Sequence, residues 1–406
     1  MRLLLGLDVG TTAVKAAAFD LSGREVASGR ARTPWRTVPT GAEIDPDELF
    51  EAAVAAARQA VAAAGGGRVA AIGVAGMAET GVLAGVDGRP VVPSIAWHDT
   101  RGEKEAERLA RELPEFPERA GLPASILCSL VKYRWMRDNW PDAARGVRWH
   151  NVAEWIVERL GGEPLAELSL ASRTGFYDLH ERRPWADALR WAGAPDLAPE
   201  PVTAGTPMGT TDGGAVLTVG GHDHLAAGVG AGAAGEGDVL DSCGTAEAFV
   251  RATAPLAPDR VARAVAHGCT CGWHAVPDRQ ALLGAAWTGR ELQRVLARHG
   301  IEPDDRAPVE AAALAVERGE PGDEVARDYH AALDRQGAEG AAVLERMAEV
   351  AGPARRVVVA GGWAAGEAAQ AVKARRLGPF ELSPGISQGA RGAALAAARA
   401  AGLPSR

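Results

Sequence analysis

Phosphate chemistry needs backbone N–H groups, hydroxyls and a carboxylate brought to one point. The segment Asp8-Val9-Gly10-Thr11-Thr12-Ala13-Val14-Lys15 offers that set. A tight turn at Gly10 between two apolar runs exposes backbone N–H groups, and Thr11 and Thr12 add hydroxyls that hydrogen-bond phosphate oxygens. Asp8, at the end of a buried run, is placed to hold a hydrated Mg²⁺ beside them, because that ion keeps several of its waters. Lys15 adds positive charge and is one of only four lysines, with Lys104, Lys132 and Lys373. A Gly-Thr hairpin is also an ordinary structural turn, so this motif points to phosphate only in company.

Company comes further along the chain. Val239-Leu240-Asp241-Ser242-Cys243-Gly244-Thr245-Ala246 repeats the order apolar strand, aspartate, Gly-Thr, small residue, apolar strand. Phosphoryl transfer draws on donors at several faces of the transferred group, and two domains with one hairpin each would clamp it. A third turn, Gly361-Gly362, ends the apolar run Val357-Val358-Val359. A Gly-Gly pair there lets a flat ligand such as an adenine-ribose unit approach the backbone.

In this order the motifs resemble the actin-like ATPase superfamily, and within it the FGGY carbohydrate kinases. Asp8-x-Gly10-Thr11-Thr12-x-x-Lys15 resembles the family's first phosphate motif, Asp241 to Thr245 its second, and Gly361-Gly362 its adenosine motif. Gly220-Gly221-His222-Asp223-His224 resembles the catalytic-aspartate segment, Trp97-x-Asp99-x-Arg101 the Trp-x-Asp-x-Arg segment, and Ala171 to Thr174 with Tyr177-Asp178 the mid-domain stretch. The resemblance implies an α/β fold of two ribonuclease-H-like domains around a central cleft that holds ATP and Mg²⁺. Asp8 would serve the metal, and Gly10, Thr11, Thr12, Lys15, Gly244, Thr245, Gly361 and Gly362 the nucleotide. Asp223 would be the general base, since an alcohol attacks phosphorus better when a carboxylate accepts its proton. The acceptor would be a sugar or polyol held by Glu79, Trp97, Asp99, Arg101, His222 and Asp223. Read alone, Asp99 and Arg101 are equally a structural salt bridge, and Asp223 a turn residue among glycines.

Glu79-Thr80 looks more like glycerol kinases than xylulose kinases, but Ala78 stands where glycerol kinases carry an arginine. A further departure is expected between about 300 and 340. There the family's Arg-Gly…Gly-Leu segment and its long helix with Glu-Gly have no evident counterpart, so the second domain reads as shortened and ATP affinity is in question. Three functions follow: a sugar or polyol kinase, an ATPase with a different acceptor, and a non-catalytic sugar- or nucleotide-binding protein of the same fold. Asp8, Lys15, Asp223 and Thr245 together favour the first, because a pure binder needs no base.

Positioning these residues requires strands at Leu3–Leu7 and Ala13–Phe19, a third strand from Glu25, and a strand over Val69–Val74. A helix begins at Pro46 behind an Asp45 cap, with Glu48 completing a capping box. Residues 101 to about 160 read as mainly helical. A second antiparallel start follows at 239, then a helix over Glu339–Val350, a strand over Arg356–Ala360 and a small-residue helix from Gly389. The expected domains are 1–232 and 233–406. The 406 residues, 47% hydrophobic and 24% charged with net charge −8, suit a globular protein and argue against non-specific nucleic-acid or membrane binding. Four cysteines are too few for a disulfide scaffold, and the N-terminal apolar run is too short for a signal peptide, so a cytoplasmic location is expected. A homodimer is compatible with these features. His267, Cys269, Cys271 and His274 lack the usual zinc spacing and read instead as buried cysteines and an exposed histidine.

Overall fold

The computed structural model describes residues 1–404 apart from Pro195, Thr245, Pro384 and Ile386. Two sheets carry the architecture. The first has the order Val216–His222, Arg68–Gly76, Arg2–Val9, Ala13–Phe19, Glu25–Arg32. Its last three strands form an antiparallel meander, and the other two run parallel to Arg2–Val9. The second sheet has the order Thr270–Trp273, Gln280–Ala286, Glu247–Thr253, Asp238–Cys243, Arg356–Ala360, Glu381–Leu382. Again the opening strand pairs antiparallel with its successor and parallel with a later strand. The repeat expected from the two glycine turns is therefore a repeat of topology.

The strand Arg2–Val9 is an unbroken apolar run because both of its faces are covered. Leu3, Leu5, Leu7 and Val9 pack with Leu49, Ala53, Ala56 and Ala60 of the helix Pro46–Ala63, while Leu4 faces Ala390 and Ala394 of the helix Gln388–Ala400. Asp45 caps the first of these helices by accepting from the Asp47 N–H at 2.9 Å. The expected capping box is not made, because the Glu48 carboxylate turns outward to Arg36.

The helix Gln388–Ala400 packs on the first sheet although it follows the second in sequence. Its small residues permit this. A Cβ on Gly6 or Gly73 would run into the backbone oxygen of Ala390 or Ala393, and one on Gly392 into that of Ala226. Ala226 lies on the helix Asp223–Gly230, whose Leu225 packs with Leu240, Val250, Leu283 and Val358 of the second sheet. Two helices in backbone contact thus join the halves. The expected boundary after residue 232 separates the sheets, but the chain crosses back at its end.

The segment expected to lack its long helix contains one. Glu324–Ala351 is a 28-residue helix, started by Asp323 accepting from the Ala326 N–H at 2.8 Å. It ends where the Arg251 guanidinium binds the carbonyls of Ala351 and Pro353. Glu339-Gly340 lies within it, and Gly340 makes room for the Phe249 ring. Tyr329, Leu333, Val343 and Met347 join the second domain's core. Among the described residues, no helix is long and apolar enough to cross a membrane.

Candidate active site

The parallel strands of the first sheet end at one edge, where ligands of α/β folds collect. Register puts Asp8 and Gly221 on either side of Ala75, and Val9 and His222 on either side of Gly76. Asp223 follows at once as the first residue of its helix. One Asp223 oxygen, Oδ1, accepts from the His224 backbone N–H at 2.7 Å and lies 3.1 Å from His222 Nε2. Burial would raise this carboxyl, but the charges of His224 and His222 and these hydrogen bonds outweigh it and hold Asp223 below the usual carboxylate range. Asp8 is its opposite: burial first, then the charge of Asp223, push it up to about 7. Asp8 Oδ1 is buried and has no hydrogen-bond partner among the described residues, and its other oxygen fits against Gly389 only because that residue has no Cβ.

Two indoles brace the first hairpin. Trp35 Nε1 donates to the Thr11 carbonyl at 2.6 Å and Trp97 Nε1 to Thr11 Oγ1 at 3.0 Å, while Thr33 Oγ1 donates to the Gly10 carbonyl at 2.8 Å. Thr12 and Lys15 stay exposed at the turn. Trp97, assigned from sequence to the acceptor, is thus a strut of the Gly10-Thr11 turn.

Glu79 sits in the left-handed region at φ 63, a conformation that costs free energy in a non-glycine residue. Arg173 holds it there: Nη2 lies 2.6 Å and Nε 2.8 Å from Glu79 Oε1, while Nη1 donates to Thr270 Oγ1 at 2.6 Å. Arg173 therefore ties the Glu79 loop of the first domain to an edge strand of the second. His224 sits in the electrostatic field of Asp223, His222, Glu79 and Arg173, and burial pulls its pKa down. Neither Arg173 nor His224 was singled out from sequence, although both lie in motifs that resemble the family.

Asp99 and Arg101 are brought together and buried. Asp99 Oδ1 accepts from the Arg101 N–H and Nε; Oδ2 accepts from Thr40 Oγ1, the Ala42 N–H and Arg101 Nη2. Arg101 also pairs with Glu43, and the Lys132 ammonium donates to the Asp99 and Arg101 carbonyls. Both oxygens of Asp99 are occupied, so the pair acts as a structural brace.

In the second domain, Asp241 and Glu247 flank the Gly244 turn, and both are buried. Thr245 lies outside the described residues. Lys373, from the helix Glu367–Leu377, bonds Asp241 Oδ2 at 2.6 Å and also Glu247. Asp241, Cys243 and Glu247 converge as metal ligands would, but the Lys373 ammonium already supplies the cation. Burial would lower Lys373, yet Asp241, Cys243 and Glu247 hold it well above the usual lysine range. Burial pushes Asp241 up to about 7. Beside this triad Gly361 takes φ 106, where a Cβ would collide with the Cys243 carbonyl oxygen. The Gly244 turn and the Gly361-Gly362 turn are therefore in contact. Arg306 donates to the Gly362 carbonyl at 2.9 Å. Cys269 and Cys271 are buried as expected, but His274 is buried with them, against the expectation of exposure.

Two sheets of this topology, each ending in a glycine hairpin, define the actin-like ATPase fold. Among solved structures, xylulose kinase from Rhodospirillum rubrum superposes with a TM-score of 0.84, over 99% of this chain and 90% of that one, at 22% identity. Plasmodium falciparum glycerol kinase with ADP does so at 0.85, over 100% and 91%, at 16% identity. Residues 3–223 match the N-terminal domain of the FGGY family of carbohydrate kinases, and the chain belongs to that family. It is 34% identical to a glycerol kinase of Ralstonia nicotianae over 238 residues, which are 54% of this chain and 48% of that protein. It is 33% identical to a Streptomyces coelicolor xylulose kinase over 246 residues, or 57% and 50% of the two chains. The match spans about half the length of these relatives.

Proposed function

We propose that this protein transfers the γ-phosphoryl group of ATP to a hydroxyl of a ketose or polyol, with Asp223 as general base. The observation that carries the reading is the carboxylate pair at the strand edge: Asp8, raised by burial and by its neighbour's charge, beside Asp223, kept ionised by two histidines. Ionised at neutral pH, Asp223 takes the proton of an attacking hydroxyl on Oδ2, because Oδ1 already accepts from the His224 N–H and faces His222 Nε2 at 3.1 Å. Glu79, fixed by Arg173, offers a second carboxylate to a polyhydroxylated acceptor, and Trp97 lends an apolar face to its C–H edges. His222 completes the acceptor side.

Gly10, Thr11, Thr12 and Lys15 serve the phosphates from one domain, Gly244 and Thr245 from the other, and Gly361 and Gly362 the adenosine. A buried carboxylate oxygen with no protein partner fits a hydrated cation, so Asp8 would hold Mg²⁺. That ion supplies neutralisation of phosphate charge.

A coupled ADP-release assay with ATP and Mg²⁺ across pentuloses, hexuloses, pentitols, tetritols and glycerol tests the reading. Stimulation by one acceptor, abolished in Asp223→Asn, is the expected result. Nucleotide binding with no stimulation by any acceptor would overturn it in favour of a binding protein of the same fold. Ala78, in place of the arginine of glycerol kinases, leads us to expect that glycerol is not the best acceptor.

A further inference from the structure

Two buried histidines of opposite hydrogen-bonding character approach each other across the domain seam. His222 ends the last parallel strand of the first sheet, and His274 follows the edge strand Thr270–Trp273 of the second. Both are about nineteen-twentieths buried, at 5% and 4% exposure. Their chain neighbours Gly221 and Ala275 are in contact, since a Cβ on Gly221 would lie 3.0 Å from that of Ala275.

Hydrogen bonding fixes the character of each ring. His274 Nδ1 accepts from the Val276 N–H at 3.0 Å, so the proton of the neutral ring is on Nε2, a donor. His222 Nε2 lies 3.1 Å from Asp223 Oδ1, and an ionised carboxylate only accepts, so Nε2 carries a proton there too, and in the neutral ring Nδ1 is an acceptor. His274 Nε2 and His222 Nδ1 are both buried without a hydrogen-bond partner among the described residues. Each such group costs about 1–3 kcal/mol if left unpaired. A buried water with two or more polar partners removes that cost.

We propose that His274 is a positioning residue for Asp223, acting across the seam through one bridging water that accepts from His274 Nε2–H and donates to His222 Nδ1. The bridge holds His222 in the tautomer that donates to Asp223 Oδ1, which leaves Oδ2 free for the acceptor hydroxyl. It rests on the reading of Asp223 as the base. It also makes the base's orientation depend on a residue of the other domain, so the second domain contributes to the acceptor site as well as to the nucleotide.

The test pairs imidazole ¹⁵N spectra of the full chain with kinetics of His274→Phe and His274→Gln. Loss of signals in His222→Asn assigns the His222 ring. In the wild type His222 is expected as the Nε2–H tautomer, and in His274→Phe as a mixture, with kcat lower by about tenfold and acceptor KM within about twofold. Glutamine, which keeps an N–H donor, is expected to restore the tautomer and most of kcat. A wild-type Nδ1–H tautomer overturns the proposal, as does a folded His274→Phe with unchanged tautomer and kcat. If no acceptor stimulates the wild type, the kinase reading fails and the tautomer comparison alone decides the bridge. If His274→Phe does not fold, the wild-type tautomer and the glutamine variant decide it.

Discussion

Asp223 has one oxygen occupied by two donors and one open, so its role is sensitive to loss of charge more than to loss of shape. Asp223→Asn is therefore expected to lower kcat by about 10²–10⁴-fold while ATP binding, measured by titration, stays close to wild type. His274 makes a separate prediction about stability. Its folded pKa of about 4 lies below the ordinary 6.5, so its contribution is fully present above pH 6.5 and is lost as pH falls toward 4. The whole effect is roughly 3 kcal/mol. Urea midpoints of the wild type and His274→Phe should converge between pH 7 and pH 4.5, and parallel acid limbs would contradict this. At this scale the sequence is most legible where the motif is local. Asp8 to Lys15 and His222-Asp223 are short motifs, and the structure brings them together. Arg173 was not legible as a site residue because its partners Glu79 and Thr270 lie 94 and 97 positions away. Asp99 and Arg101 were ambiguous for a different reason, since nothing local reveals that Thr40, Ala42 and Glu43 would use up their valences.

Elements of the second domain are fastened by ions. The Asp241–Lys373–Glu247 triad links the Gly244 hairpin to the helix that follows the Gly361-Gly362 turn, and Thr288 also donates to Glu247. Removing the cation leaves two carboxylates facing each other out of water. Lys373→Met is expected to cost about 3–5 kcal/mol in urea denaturation and to weaken ATP binding, whereas an exposed lysine such as Lys104 should be replaceable within about 0.5 kcal/mol. Strands were easier to foresee than helices here. The runs Ala13–Phe19 and Arg356–Ala360 have the expected limits, because buried parallel and hairpin strands are short, apolar and bounded by turns. The helix Glu324–Ala351 was expected to begin at residue 339. Its first four turns carry Glu324, Arg327, Asp328, Asp334 and Arg335, which obscure the buried stripe Tyr329, Ala332, Leu333, Gln336. The start signal Gly322-Asp323 was present all the same.

At the scale of the whole molecule, the two halves meet through helices stripped to glycine and alanine. Gly392 separates two competing effects. Alanine favours a helix interior by about 1 kcal/mol over glycine, but a Cβ here would strike the Ala226 carbonyl oxygen. Overpacking costs about 1–3 kcal/mol, so Gly392→Ala is expected to lower the thermal midpoint despite its better propensity. A higher midpoint would mean the seam is looser than described. Phosphate turns in both halves also lead us to expect closure on ligand binding, seen as a smaller radius of gyration in small-angle scattering with acceptor and a non-hydrolysable ATP analogue. The repeat of two halves was visible in the sequence as a pair of Gly-Thr turns. The return of the chain to the first sheet was not, because a helix of small residues packs equally well on either.

That return sets the order in which the protein can be completed during synthesis. The strand Arg2–Val9 is made nearly four hundred residues before Ala390 and Ala394, which cover one of its faces. Until then Leu4 and its neighbours on that face have no cover, and contacts of such sequence separation form slowly. A nascent first domain therefore carries an apolar patch until that helix is made, a natural place for a chaperone to hold. Both domains would mature in the same late event, when the helix Gln388–Ala400 slots between the first sheet and the helix Asp223–Gly230.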